Sequence, residues 1–136
     1  MKLSPKEIPR FLENPDPTIA AILFYGSDTM RVALKRQKYL ENFLGSTAEQ
    51  EMRLTRLTGD DVLKDHTAAF DAIKSLGFFP GHRAVLIENG ADRVTKIIFD
   101  CIEAWKQPDA QIVVTSGQLK PTSQLRKSFE TSKSTL

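Results

Sequence analysis

Cysteine occurs once, at Cys101, so no disulfide can form within the chain and no cysteine-based zinc site can be assembled. That usage fits a reducing compartment. Histidine is almost as scarce. His66 and His82 have no partner at ligand spacing, which leaves no metal motif to pursue. Long apolar runs are missing too: none approaches the roughly 18 residues needed to span a bilayer. Residues 1–7 lack the apolar stretch of a secretion signal. Charge of one sign is in short supply, since 19 basic against 17 acidic side chains leave only +2, far from the basic stripe of a dedicated nucleic-acid binder. These absences predict a cytoplasmic protein with no membrane association, metal or cofactor. What is present is ordinary. With 40% apolar and 26% charged residues over 136 positions, the chain can bury one core and does not have the composition of a disordered segment.

Apolar runs alternate with helical patterns. Ser4-Pro5-Lys6-Glu7 is a capping box that predicts a short helix to about Glu13, with Pro9 inside it and Asn14-Pro15-Asp16-Pro17 ending it. Residues 19–25 form the first strand, apolar on both faces. Residues 28–44 form a helix with Val32, Ala33, Tyr39, Leu40, Phe43 and Leu44 on one stripe. Residues 52–57 alternate as an edge strand would. The spacing of Val62, Ala69, Phe70, Ile73 and Leu76 predicts one long helix over residues 60–76. A buried strand at 83–88 precedes the clearest helix, 92–105, with Val94, Ile97, Ile98, Cys101, Ile102 and Trp105 at spacings of three and four. A fourth strand at 111–115 and a last helix at 123–130 complete a domain of residues 1–130, followed by a tail at 131–136. The fold class expected is α/β, a parallel sheet of four to five strands covered by helices on both faces.

Ligands of such folds bind at the carboxyl ends of the strands. The first such turn reads Tyr25-Gly26-Ser27-Asp28-Thr29. It has one glycine, no Gly-Lys-Ser/Thr, and its nearest lysine, Lys35, lies two turns into the helix. Asp28 places a carboxylate where an anion would bind, so it or Ser27 is read as the helix cap. A dinucleotide site fails for want of G-x-G-x-x-G, and the acidic pocket of a phosphoacceptor domain has no counterpart in Gly26-Ser27-Asp28 and Glu88-Asn89-Gly90. Asp60-Asp61 complements the positive end of a helix dipole, and Cys101 is an inert core thiol. One segment resists a bland account: Ser75-Leu76-Gly77-Phe78-Phe79-Pro80-Gly81. From spacing alone, its two phenylalanines can plug the core or stand outside as an anchor for a partner.

Three stretches carry a resemblance. They are Leu23-Phe24-Tyr25-Gly26-Ser27-Asp28, the run from Ser75 through Phe78-Phe79 to Arg83-Ala84-Val85-Leu86, and Leu119-Lys120-Pro121 through Leu125-Arg126-Lys127. In order and spacing they resemble the amino-terminal domain of the delta-subunit family of bacterial DNA polymerase III. The resemblance implies an AAA+ (P-loop NTPase-like) fold without a functional phosphate loop. It implies a non-catalytic part of the clamp loader of this DNA-directed DNA polymerase, which binds and opens the sliding clamp (the beta subunit) during DNA replication. Phe78 and Phe79 match the family's clamp-binding pair, with Leu76 and Ile73 as apolar support. Phe78 stands where the family commonly has leucine, Gly77 replaces a common proline, and Pro80-Gly81 replace more polar residues. The resemblance further implies that a fifth strand beside the first, a lid domain and a collar domain are not part of this sequence, so contacts to other loader subunits through the collar are not expected. Without a fifth strand, residues 19–25 would offer an open apolar edge that another chain could pair with. Direct DNA contact through Lys120, Arg126, Lys127 and Lys133 is a weaker expectation, and a nucleotide-binding or other α/β enzyme domain is the alternative.

Overall fold

The computed structural model describes residues 6–16, 18–45, 53–74, 82–90, 92–106, 109–119 and 122–131, and the side chains of His66 and Thr131 are excluded from it. Four strands, β1 (Ala21–Tyr25), β2 (Leu54–Thr58), β3 (Ala84–Glu88) and β4 (Gln111–Ser116), form one sheet in the order β1-β4-β3-β2. Every pairing is parallel. The two central strands are buried along almost their whole length, as parallel sheets covered on both faces require. β2 lies at one edge, where its polar alternation fits, and β1 lies at the other. This α/β architecture, a four-stranded parallel sheet flanked by helices, is compatible with a P-loop-like fold.

Two apolar layers cover the sheet. On one face, α1 (Ile8–Glu13) and α2 (Thr29–Leu44) bring Leu12, Tyr39, Leu40, Phe43 and Leu44 onto Ile22, Leu86 and Val113. On the other, α3 (Gly59–Lys64), α4 (His66–Lys74), α5 (Thr95–Glu103) and α6 (Gln124–Thr131) pack Val62, Ile73, Ile98, Leu125 and Phe129 against Val85, Ile87, Ile112 and Val114. A 3-10 turn at Asp92–Val94 leads into α5. Among the described residues no helix is long and apolar enough to cross a membrane.

Two expectations need correction. α1 begins at Ile8, so Pro9 falls in its first turn, where a missing N–H costs nothing. The Ser4 cap of the expected capping box lies outside the described residues. The helix expected over residues 60–76 is two helices. Asp60-Asp61 fall in the first turn of α3, as expected, and Asp61 closes a capping box with the N-cap Thr58: Asp61 N–H donates to Thr58 Oγ1 at 3.1 Å, and Asp61 Oδ2 accepts from Thr58 N–H at 2.9 Å. At Asp65 the backbone turns extended (φ −136°, ψ 97°), and its carboxylate accepts from the N–H of Thr67 at 3.1 Å. Aspartate here ends one helix and starts the next, because its short side chain competes for backbone donors. The break rotates α4, and Phe70, expected on the buried stripe, is 41% exposed.

Candidate functional site

At the carboxyl end of β1 the backbone donors of the turn are committed to the chain itself, although Gly26, Ser27 and Asp28 also border a groove. Gly26 N–H donates to Gly117 O at 3.2 Å, which ties the turn to the strand beside it. Asp28 then caps α2, its Oδ1 accepting from Arg31 N–H at 3.2 Å while its carbonyl accepts from Val32 N–H at 3.1 Å. A free helix N-terminus would offer those donors and the positive dipole end to a phosphate; here a fixed carboxylate occupies the place. The neighbouring turn after β3 is equally committed. Gly90 N–H donates to Thr115 O at 2.8 Å, Ser116 Oγ donates to Gly90 O at 2.6 Å, and Glu88 faces Arg56 at 3.8 Å. Among the described residues no group of three or more His, Cys, Asp or Glu side chains could hold a metal ion.

Of the other titratable residues singled out from the sequence, Asp61, Cys101 and His82 sit in structural settings, and the His66 side chain lies outside the described residues. Asp61 is held below the usual carboxylate range by the backbone and hydroxyl of Thr58. Cys101 is buried on α5, where desolvation, with a smaller push from the Asp100 charge, raises its thiol above its ordinary value and leaves it a poor nucleophile. The His82 ring stacks on Phe43 with centroids 4.7 Å apart.

Lys74 and His82, which flank the segment expected to grip a partner, lie at the opposite end of the sheet. Phe78, Phe79 and Leu76 lie outside the described residues; Ile73 is 1% exposed and belongs to the core between α4 and the sheet. What is described is the frame on both sides. Ile73 O accepts from Ala110 N–H at 3.1 Å, and Lys74 Nζ pairs with Asp109 and donates to Ala104 O. The Asp109 carboxyl loses some stabilisation as an anion to partial burial, yet its hydrogen bonds from Lys74 and the Lys106 N–H keep it below the usual range. On the return side, the Arg53 guanidinium donates to His82 O at 3.1 Å and His82 stacks on Phe43. The described residues on either side, Lys74 and His82, are thus each held by the body of the domain.

No family model matches this chain, and no curated protein matches it at a significant level. The site must be argued from its own residues. Of the basic set considered for DNA, Lys120 and Lys133 lie outside the described residues. Arg126 is committed to Glu130 at 3.0 Å, to Leu119 O at 3.1 Å and to the face of the Tyr25 ring at 5.2 Å. Lys127 is exposed. The two described cations of a nucleic-acid face would need to point outward together, and Arg126 instead points back onto β1.

Two features escaped sequence reasoning. Gln111, the first residue of β4, is buried and joins three elements. Its Oε1 accepts from the Tyr39 hydroxyl on α2, while its Nε2 donates to Asp16 O at 3.1 Å and Ile19 O at 2.9 Å. Burial pushes the Tyr39 phenol well above its ordinary pKa, with Gln111 partly opposing the shift. A glutamine opening an apolar strand was the available signal. The second is a groove of about 450 Å³ running beside β1 between α1, α2 and α6. It is touched by all of Ile22, Leu23, Phe24 and Tyr25. Successive strand residues point to opposite faces, so a cavity meeting four in a row follows the strand's edge.

Proposed function

We propose that this chain is a protein-docking domain without its own chemistry, the clamp-opening AAA+-like domain of a bacterial replicative clamp loader. In this reading Phe78 and Phe79, supported by Leu76 and Ile73, insert into a hydrophobic pocket of the sliding clamp and spread one ring interface. The observation that carries it is the β1–α2 turn. A sheet compatible with nucleotide-hydrolase architecture has, at the place where such folds seat phosphate, a carboxylate cap and a strand-to-strand hydrogen bond. The frame around residues 75–81 adds support. An anchor transmits force only if its base is fixed, and here a buried helix end with a Lys74–Asp109 ion pair holds one side and Arg53 the other. The nucleotide-enzyme alternative would require Asp28 to vacate its cap.

The decisive measurement is calorimetric titration of the chain with a purified bacterial sliding clamp, parent against Phe78→Ala/Phe79→Ala. Losing an aromatic hot-spot pair costs about 3 kcal/mol or more, beyond a hundredfold in affinity. A folded double variant that binds the clamp as the parent does removes the site assignment. Saturable ATP binding to the parent would favour the enzyme alternative.

A further inference from the structure

The turn after β3 makes two separate demands on Asn89-Gly90, and the dipeptide that answers them has a chemistry of its own. Asn89 has φ 58°, in the left-handed region that asparagine enters more readily than most side chains. Gly90 is buried, and a Cβ on it would lie 2.7 Å from Val114 Cγ1. One position needs a left-handed residue and the next needs no side chain. The same pair lets a backbone nitrogen reach the preceding carboxamide most freely, because glycine puts no Cβ in the way. It occurs once in the chain: Asn14 precedes Pro15, and Asn42 precedes Phe43 inside α2. The fold holds that reaction off. Attack requires the Gly90 nitrogen to swing to the side-chain side of the Asn89 Cα–C bond. A left-handed residue has ψ of about +50°, which sets this nitrogen opposite Cβ. Nor can the peptide turn freely. Gly90 N–H donates to Thr115 O at 2.8 Å, and Gly90 O accepts from Ser116 Oγ at 2.6 Å. Asn89 O packs so closely on Gly59 that a Cβ there would stand 2.6 Å from it. Asn89 is nonetheless exposed, so water reaches its carboxamide.

We propose that Asn89-Gly90 is a modification site gated by the fold, at which opening of the turn after β3 is turned into a permanent change of the backbone. Once the turn opens, the Gly90 nitrogen loses its proton to solvent and bonds to Asn89 Cγ. The bond from Cγ to the amide nitrogen of the side chain breaks and ammonia leaves, closing a cyclic imide. Water then opens the ring at either carbonyl. Breaking the new Cγ–N bond gives aspartate. Breaking the original C–N bond gives isoaspartate, whose main chain runs through Cβ and Cγ and is longer by a methylene. That longer chain cannot set Gly90 N–H on Thr115 O and Asn89 O against Gly59 together, so a molecule that ages while open does not close again.

The chain is incubated folded, and unfolded in guanidinium chloride, at one mildly alkaline pH and one temperature. Asn89 is followed by peptide mass mapping and Gly90 by amide hydrogen exchange. Folded Asn89 should convert at least about a hundredfold more slowly than unfolded, because only the open fraction reacts. Exchange of the Gly90 amide needs the same break from Thr115 O, so the slowing should be no smaller than the protection of that amide. Ser116→Ala removes a contact to Gly90 O and should raise both rates together. After unfolded incubation and dilution, the aspartate fraction should regain Gly90 protection and the isoaspartate fraction should not. Asn89→Gly keeps a left-handed turn without a carboxamide and should refold in full, which preserves the test if Ser116→Ala does not fold. Folded conversion slowed less than the Gly90 amide is protected would reveal a route around the Thr115 bond and overturn the proposal. So would an isoaspartate chain that refolds with Gly90 protected, or an Asn89→Gly chain that loses as much refoldable protein as the parent.

Discussion

Replacing Gln111 by leucine tests whether the polar joint between α2, β4 and the segment before β1 holds the domain together. Gln111 is 1% exposed and Tyr39 fully buried, so the hydroxyl orphaned by Gln111→Leu has no water to turn to. An unpaired buried polar group costs about 1–3 kcal/mol. The carbonyls of Asp16 and Ile19 belong to half-buried residues and can recover water, which limits their share to about 0.5–1 kcal/mol each. Allowing for what the buried leucine returns, the net loss is about 3 kcal/mol. With a urea m-value of about 2 kcal/mol/M, the unfolding midpoint should fall by about 1.5 M. Tyr39→Phe alone leaves only the Gln111 oxygen unpaired and should cost about 1–1.5 kcal/mol. In the Gln111→Leu background the same change removes the orphan hydroxyl, so it should be neutral or stabilising, a coupling of about 1–2 kcal/mol. Additive costs in that cycle, or a Gln111→Leu loss below 1 kcal/mol at unchanged m, would refute the account of a buried network.

Helix propensity alone predicts that Gly59→Ala at the start of α3 stabilises by about 0.5–1 kcal/mol. An added Cβ would lie 2.6 Å from Asn89 O, a backbone atom that cannot rotate aside, so the expected sign is reversed, with a loss of about 1–3 kcal/mol visible as a Tm lowered by several degrees. A raised Tm would show that the Asn89 turn yields. The Tyr39 phenol gives a pH prediction. Its folded pKa lies above its unfolded value near 10, so the folded state keeps a proton that the unfolded state releases, and stability is lost as pH climbs past about 10. The slope approaches about 1.4 kcal/mol per pH unit. Tyr39→Phe should remove that part of the alkaline limb, and an identical limb in parent and variant would count against desolvation as its source.

Much of the architecture was legible in the sequence because a parallel sheet announces itself. Ala84-Val85-Leu86-Ile87 and Ile112-Val113-Val114 are apolar at every position, a pattern that only a strand covered on both faces needs. The break at Asp65 was not legible, for a physical reason. Both halves keep a 3.6-residue rhythm, and a single aspartate between them is compatible with an uninterrupted helix unless its side chain claims the N–H of Thr67. Once it does, the stripe is cut and Phe70 turns outward. The closed β1–α2 turn could be read from Asp28 because a carboxylate at a helix start has one dominant local use. The groove could not. It is made by α1, α2 and α6 meeting beside a strand edge, and no local spacing encodes where three elements distant in sequence leave a gap.

The α4–β3 junction belongs to the amino ends of the strands, because α4 runs back along the sheet from β2 to the start of β3. Its described flanks are held by the Lys74–Asp109 ion pair, by the Ala110 N–H on Ile73 O and by the Arg53 guanidinium on His82 O. If the proposed clamp contact rests on burial of apolar rings, salt has little charge attraction to screen there. Clamp affinity measured by calorimetric titration should then change little as ionic strength rises. An affinity that collapses steeply with salt would mean that charged groups, not the phenylalanine pair, make the contact.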